Sequence, residues 1–282
     1  MEKQKRAIAV HDISCIGKCS LTVALPVLSA AGIECSVIPT SILSSHTGEF
    51  TGYTFRDLTE DILPILDHWS TLNLQVDAIY TGYLGSKEQT ALMETVFRRL
   101  GGPDTLLFVD PVMGDNGKLY SGFDTDFPPE MAKVCHLAHV IVPNITEAYL
   151  LLGEPYREGP YTTGQIETLL RRLADTFSAK VVLTGVRFDD TQVGAAAFDP
   201  GCGAIRYYLR PYIPNRYHGT GDLFASALLA GLLSGLALER ATEVAVGFVA
   251  AAIAKTPAEH DLKFGVRFEA ALPGLMGDLG VI

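Results

Sequence analysis

Apolar residues fall along this chain in short blocks bounded by Gly- and Pro-bearing turns, alternating with longer stretches of helical period. Residues 7–11 read as a buried strand that ends in His11-Asp12 and a Ser/Cys/Gly loop, with Ser14 inside it. A helix is expected over 19–31, closed by Gly32, and a second strand over 33–39. This β-loop-α-β opening predicts a parallel sheet with right-handed crossovers. The alternation continues with a helix over 56–68, a strand over 77–81, a helix over 86–100 and strands over 106–109 and 139–142. A helix over 162–176 and a strand over 180–186 follow. Residues 192–198 and 204–210 read as a hairpin at the far edge of the sheet, and long Ala-rich helices follow Gly221 and span 239–254. With no internal repeat, low-complexity tract or linker, residues 1–282 form a single α/β domain.

Polar residues cluster where the strands end. The turn His218-Gly219-Thr220-Gly221-Asp222 runs into the strongly apolar segment Leu223-Phe224-Ala225. Glycines let backbone N–H groups come close to a ligand, and the N-terminus of the following helix favours an anion such as phosphate. Asp222 has two explanations. A carboxylate in the first turn stabilises the helix dipole by about 0.3–1 kcal/mol; alternatively it takes a proton from a hydroxyl whose attack is aimed at the phosphoryl group.

Strand 106–109 delivers Asp110-Pro111-Val112-Met113-Gly114-Asp115. Two aspartates at the tip of a buried strand suit a hard cation such as magnesium, and an Asx turn around Asp115-Asn116-Gly117 is the structural alternative. Asn144 and Glu147 have the spacing of an N-cap and its reciprocal acid. Thr184-Gly185 and Gly82-Tyr83 are further turns just past strands. Residues 40–53, with Ser45-His46-Thr47-Gly48, read as a functional loop at a carboxyl edge, where ligands bind in open α/β sheets.

Composition narrows the partners. A net charge of −10 argues against nucleic acid or an anionic membrane as partner, so phosphate must be met by backbone dipoles and a metal ion. The longest uncharged run, residues 223–238, is shorter than the ~20 residues of a membrane span. The N-terminus lacks the apolar run of a signal peptide, and the five scattered cysteines read as reduced thiols, which together lead us to expect a cytoplasmic protein. Acids for a metal, an anion-binding turn and a carboxylate placed as a base describe phosphoryl transfer to an alcohol. Neither a Walker sequence nor the protein-kinase signature set occurs.

Asp110-Pro-Val-Met-Gly-Asp115, Pro143-Asn-Ile-Thr-Glu-Ala148 and Gly219-Thr-Gly-Asp222 together resemble the ribokinase-like superfamily, and within it the pyridoxal kinases. The resemblance runs through the whole chain and implies a mostly parallel sheet with helices on both faces. It implies ATP and magnesium as cofactors, a B6 vitamer as substrate, and Asp222 as base for the 5′-hydroxyl. Gly219, Thr220 and Gly221 would form the anion hole, Asp115 and Glu147 would hold magnesium, and Asp110 and Asn144 would lie nearby. Thr184 and Gly185 would flank the nucleotide phosphates; Asp12, Ser14, His46, Thr47 and Tyr83 would line the vitamer site. The family is usually a homodimer, and several members need K+. Hydroxymethylpyrimidine kinase is the close alternative, although many such enzymes carry a Cys beside the catalytic motif where this chain has Leu223-Phe224-Ala225. A sugar kinase and a silent nucleotide- or vitamer-binding regulator are more distant ones.

Overall fold

The computed structural model describes residues 3–282. Nine strands form one sheet, in the order β11-β10-β9-β8-β5-β4-β1-β2-β3. Its parallel centre comprises β2 (Glu34–Leu43), β1 (Arg6–Ser14), β4 (Ala78–Thr81), β5 (Leu106–Val109), β8 (Val140–Ile141) and β9 (Lys180–Val186). The antiparallel pair β10 (Gln192–Phe198) and β11 (Ile205–Pro211) closes one edge, as its two alternating runs predict. The other edge is β3 (Phe55–Asp57), antiparallel to β2.

Period-2 alternation along the strands sorts side chains to two cores. Ile8, Val10, Ile79, Val109, Val181 and Leu183 pack beneath α2 (Thr59–Trp69), α3 (Lys87–Leu100), α4 (Phe127–Cys135), α5 (Ile145–Leu151) and α6 (Thr163–Phe177). Ala7, Ala78, Tyr80, Phe108 and Val182 face α1 (Leu21–Ala30), α7 (Thr220–Leu233), α8 (Leu238–Ala254) and α9 (Leu272–Asp278). Helix α7 is buried from Leu223 to Gly231, and its Gly231 lies so close to Ala241 that a Cβ there would sit 2.9 Å from the alanine methyl. Small residues let α7 and α8 approach, which fixes where the N-terminus of α7 points.

Four features depart from the sequence expectations. β2 continues to Leu43, so residues 40–43 are strand rather than loop. Its Thr40 is fully buried, with the hydroxyl donating to the Tyr83 carbonyl at 3.0 Å, so a polar residue is satisfied inside the sheet. α2 starts at Thr59 instead of 56, because residues 55–57 pair with β2 and Asp57 accepts the Thr59 N–H at 2.7 Å. The third is α4, for which no helix was expected, and whose Pro128 and Pro129 fall at its start, where proline is tolerated. Finally, Asp115 belongs to the small hairpin of β6 (Gly114–Asp115) and β7 (Lys118–Leu119).

Candidate active site

Every turn singled out in the sequence except the hairpin's opens at the carboxyl edge of the parallel strands, since their shared direction brings those ends together. Asp12 and Ser14 come from β1, Tyr83 follows β4, Asp110 follows β5, Asn144 follows β8, and Thr184 lies on β9. The order of strands puts Asp12, Ser14 and Tyr83 on one side, at β4-β1-β2, and Asp110, Asn144 and Thr184 on the other, at β5-β8-β9. The turn before α7 stands across both.

That turn is built for close backbone approach. Gly219 is the N-cap of α7 at φ 75°, a left-handed conformation. Gly221 is exposed, and a side chain there would meet no atom within 4 Å. The Thr220 hydroxyl donates to the Tyr217 carbonyl at 3.3 Å. Asp222 follows in the first helical turn with its side chain part-buried. Burial, with Asp12 close by, raises its carboxyl to about 7 despite the opposing effect of the Ser20 backbone N–H. A carboxylate in that range is matched to taking a proton near neutrality.

Asp12 and Ser14 are both buried, opposite a β-bulge of β2, and the Ser14 hydroxyl donates to Asp12 at 3.1 Å. Burial raises the Asp12 carboxyl as well, against the hydroxyls of Ser20 and Ser14. Tyr83 is part-buried, its ring 5.4 Å from that of Phe123. His46 is buried with both ring nitrogens engaged: Nε2–H donates to the Lys263 carbonyl at 2.6 Å, and Nδ1 accepts the Gly48 N–H at 3.1 Å. The imidazole therefore braces its loop, and burial lowers its pKa. Thr47, beside it, is part-buried.

On the β5-β8-β9 side, Asn144 and Glu147 make the capping box read from their spacing. Glu147 N–H donates to Asn144 Oδ1 at 2.9 Å, and Asn144 N–H donates to Glu147 Oε2 at 2.8 Å. The other Glu147 oxygen accepts the Met113 N–H at 3.1 Å, and the Asn144 amide donates to the Gly114 carbonyl at 2.8 Å. Burial raises the carboxyls of both Asp110 and Glu147, and the charges of Glu147 and Asp222 raise Asp110 further. Asp115 departs from its neighbours. It is exposed and caps a tight turn, accepting the Asn116 N–H at 2.8 Å, with Asn116 and Gly117 at φ 51° and 75°. The turn expected around Asp115-Asn116-Gly117 is thus present, as a two-residue hairpin turn rather than an Asx turn, since the Gly117 N–H goes to Thr146. Gly117 N–H donates to the Thr146 hydroxyl at 2.9 Å, which pins this hairpin to α5. Thr184 sits beside Asn144 through a backbone bridge, and Gly185 adopts φ 75° where β9 and β10 shift register.

Among the described residues, no group of three or more His, Cys, Asp or Glu is arranged to enclose a metal. The acids nonetheless fit magnesium, which takes one or two carboxylates and completes its shell with phosphate and water. Glu147 and Asp222 both raise the proton affinity of Asp110, a concentration of negative charge that a cation relieves.

The family model described as phosphomethylpyrimidine kinase matches residues 25–266. The chain belongs to that family. A pyridoxine/pyridoxal/pyridoxamine kinase of Bordetella avium is 30% identical over 264 residues, 88% of this chain and 84% of that one. A Bacteroides thetaiotaomicron structure with pyridoxal, described as of a phosphomethylpyrimidine kinase, superposes with a TM-score of 0.92 at 37% identity. It covers 97% of this chain and 96% of its own. Pyridoxal kinase from Lactobacillus plantarum aligns at 33% identity with a TM-score of 0.88, covering 98% of each chain. The ribokinase-like fold expected from the motifs is the fold observed, and the protein is an enzyme of this kinase family. No described helix is long and apolar enough to cross a membrane.

Sequence reading missed Ser20, held at φ 54° with its N–H toward Asp222, and the engagement of His46, His218 and Glu49 with one another. The adjacency of His218 to Gly219 was the only available signal.

Proposed function

We propose that this protein transfers the γ-phosphoryl group of ATP to the 5′-hydroxyl of a B6 vitamer: pyridoxal, pyridoxine or pyridoxamine. The observation that carries the reading is Asp222, a carboxylate raised to about 7 in the first turn of a helix entered through Gly-Thr-Gly. Identity of 30–37% to proteins named for, or solved with, B6 vitamers supports the substrate class.

Asp222 accepts the hydroxyl proton as the oxygen attacks phosphorus. The P–O bond to the β-phosphate breaks, and ADP leaves with the electron pair. Backbone N–H groups of residues 219–221 hold the transferred phosphoryl oxygens, assisted by the helix dipole. Thr47 and Tyr83 hold the pyridine ring, with Asp12 and Ser14 along the floor and His46 supporting the loop. Thr184 and Gly185 border the nucleotide phosphates, beside Asp110 and Asn144. Magnesium, when bound with ATP, would neutralise charge on the phosphates; Asp115 and Glu147 would hold it, Glu147 through water, because its oxygens already accept backbone N–H groups.

Hydroxymethylpyrimidine phosphorylation is the second reading, favoured by the family description. Assaying ATP-dependent phosphorylation of the vitamers and of hydroxymethylpyrimidine in parallel tests both. Highest kcat/KM on a vitamer supports the proposal, and highest kcat/KM on the pyrimidine replaces it.

A further inference from the structure

The loop over residues 44–50 and the turn before α7 come from opposite ends of the chain, yet their side chains interlock. Glu49 Oε1 lies 3.2 Å from His218 Nε2, and His218 immediately precedes Gly219. The rings of His218 and His46 stack at 4.7 Å, tilted by 33°. Gly48 presses its backbone against the same imidazole, where any Cβ would overlap the His218 ring. On the far side, Phe50 meets His46 at 4.9 Å and Phe264 at 5.4 Å.

The chemistry of this contact is not what packing alone would select. The His218 side chain is 11% exposed, and Nε2 is buried with no aligned hydrogen-bond partner among the described residues. Glu49 is 43% exposed, so its carboxylate remains hydrated while one oxygen faces the ring. A carboxylate near an anion-binding turn opposes phosphate by simple repulsion unless a donor is set against it. Glu49 sets a carboxylate against the buried imidazole nitrogen, and His218 gives that carboxylate a polar neighbour at the entry to the turn.

We infer that Glu49 and His218 are positioning residues that couple seating of the alcohol substrate under the 44–50 loop to the geometry of the Gly219–Gly221 anion hole. The inference rests on the substrate and phosphoryl positions proposed above. With the loop down, Glu49 holds His218, and His218 sets the entry of the chain into Gly219. Without that hold, the turn still forms but samples orientations in which its N–H groups miss the phosphoryl oxygens.

A double-mutant cycle tests the coupling. Glu49→Ala and His218→Ala are each expected to lower kcat and raise KM for the alcohol, by about tenfold in kcat/KM, with KM for ATP nearly unchanged. The double variant should be no worse than the poorer single one, and Glu49→Gln, which keeps an acceptor, should recover most of the loss. Additive losses, or a loss confined to KM for ATP, would overturn the coupling. Amide hydrogen exchange of the unliganded protein supplies a readout independent of substrate identity. Glu49→Ala should speed exchange in residues 216–221, and His218→Ala in residues 44–50. Reciprocal acceleration in a protein inactive on vitamers would uphold the coupling and refute only the substrate; acceleration confined to each mutated segment would refute the coupling itself.

Discussion

The carbonyl oxygen of Lys18 occupies the space in which a side chain on Gly219 would begin. The loop after β1 and the turn before α7 are thus in backbone contact, and the second glycine of the turn, Gly221, has open space instead. The two glycines of one motif answer to different constraints. Gly219 is required by packing and by its φ of 75°, whereas no packing requires Gly221, whose bareness serves the phosphoryl contact proposed above.

Gly219→Ala should therefore lower the melting temperature and the activity together, as a strained, overpacked backbone does. Gly221→Ala should melt within a degree or two of the parent and lose turnover selectively, because its methyl would stand where the proposed mechanism brings the phosphoryl oxygens. Thermal melts beside steady-state rates separate the two; equal destabilisation by both would contradict this division.

Asp222→Ala should reduce kcat by about 10²- to 10⁴-fold while substrate KM values change little. With its carboxyl raised to about 7, Asp222 is a base only when deprotonated, so kcat/KM should rise with pH and level off above that value. Near-normal turnover in the variant, or a flat profile between about pH 5 and 8, would remove Asp222 from the role.

The same shift has a sign for stability. The folded carboxyl holds its proton more tightly than an ordinary one at 3.8, so the native state binds more protons between the two values. The contribution of Asp222 to stability is thus greatest in acid and is lost as pH rises through about 7. Asp222→Asn should be more stable than the parent at about pH 8 and should lose that advantage by about pH 4. Denaturant midpoints at the two pH values measure it, and an advantage that grows in acid would contradict the burial effect.

Asp115 is exposed and its turn is held by Asn116 and Gly117, so Asp115→Asn should fold normally. Its expected defect is a higher magnesium concentration for half-maximal rate, by roughly tenfold, since one carboxylate of the set is lost. An unchanged magnesium titration would leave Asp115 as a turn residue alone.

The layout of the sheet was legible because strands β4, β5 and β9 are compact apolar runs with Gly or polar residues immediately beyond. The same contrast exposed Asp110, Asn144 and Asp222. What stayed hidden was held by tertiary contacts. Thr40 and Ser41 look like loop residues and are buried strand. The three residues of β3 are all exposed, so no periodicity marks them. α4, which opens on two prolines, was not expected from the sequence. His46 read as a substrate contact, and the length of chain to Lys263 concealed the carbonyl that occupies its Nε2. A spacing rule reaches a few residues along the chain, and this hydrogen bond spans 217.

The most direct test of the account is the rate of ATP-dependent phosphorylation by the purified protein across pyridoxal, pyridoxine, pyridoxamine, hydroxymethylpyrimidine and ribose, with Asp222→Ala alongside. The account predicts the highest kcat/KM on a B6 vitamer, abolished by the substitution. A highest value on hydroxymethylpyrimidine or ribose, or vitamer turnover that survives loss of Asp222, would contradict it.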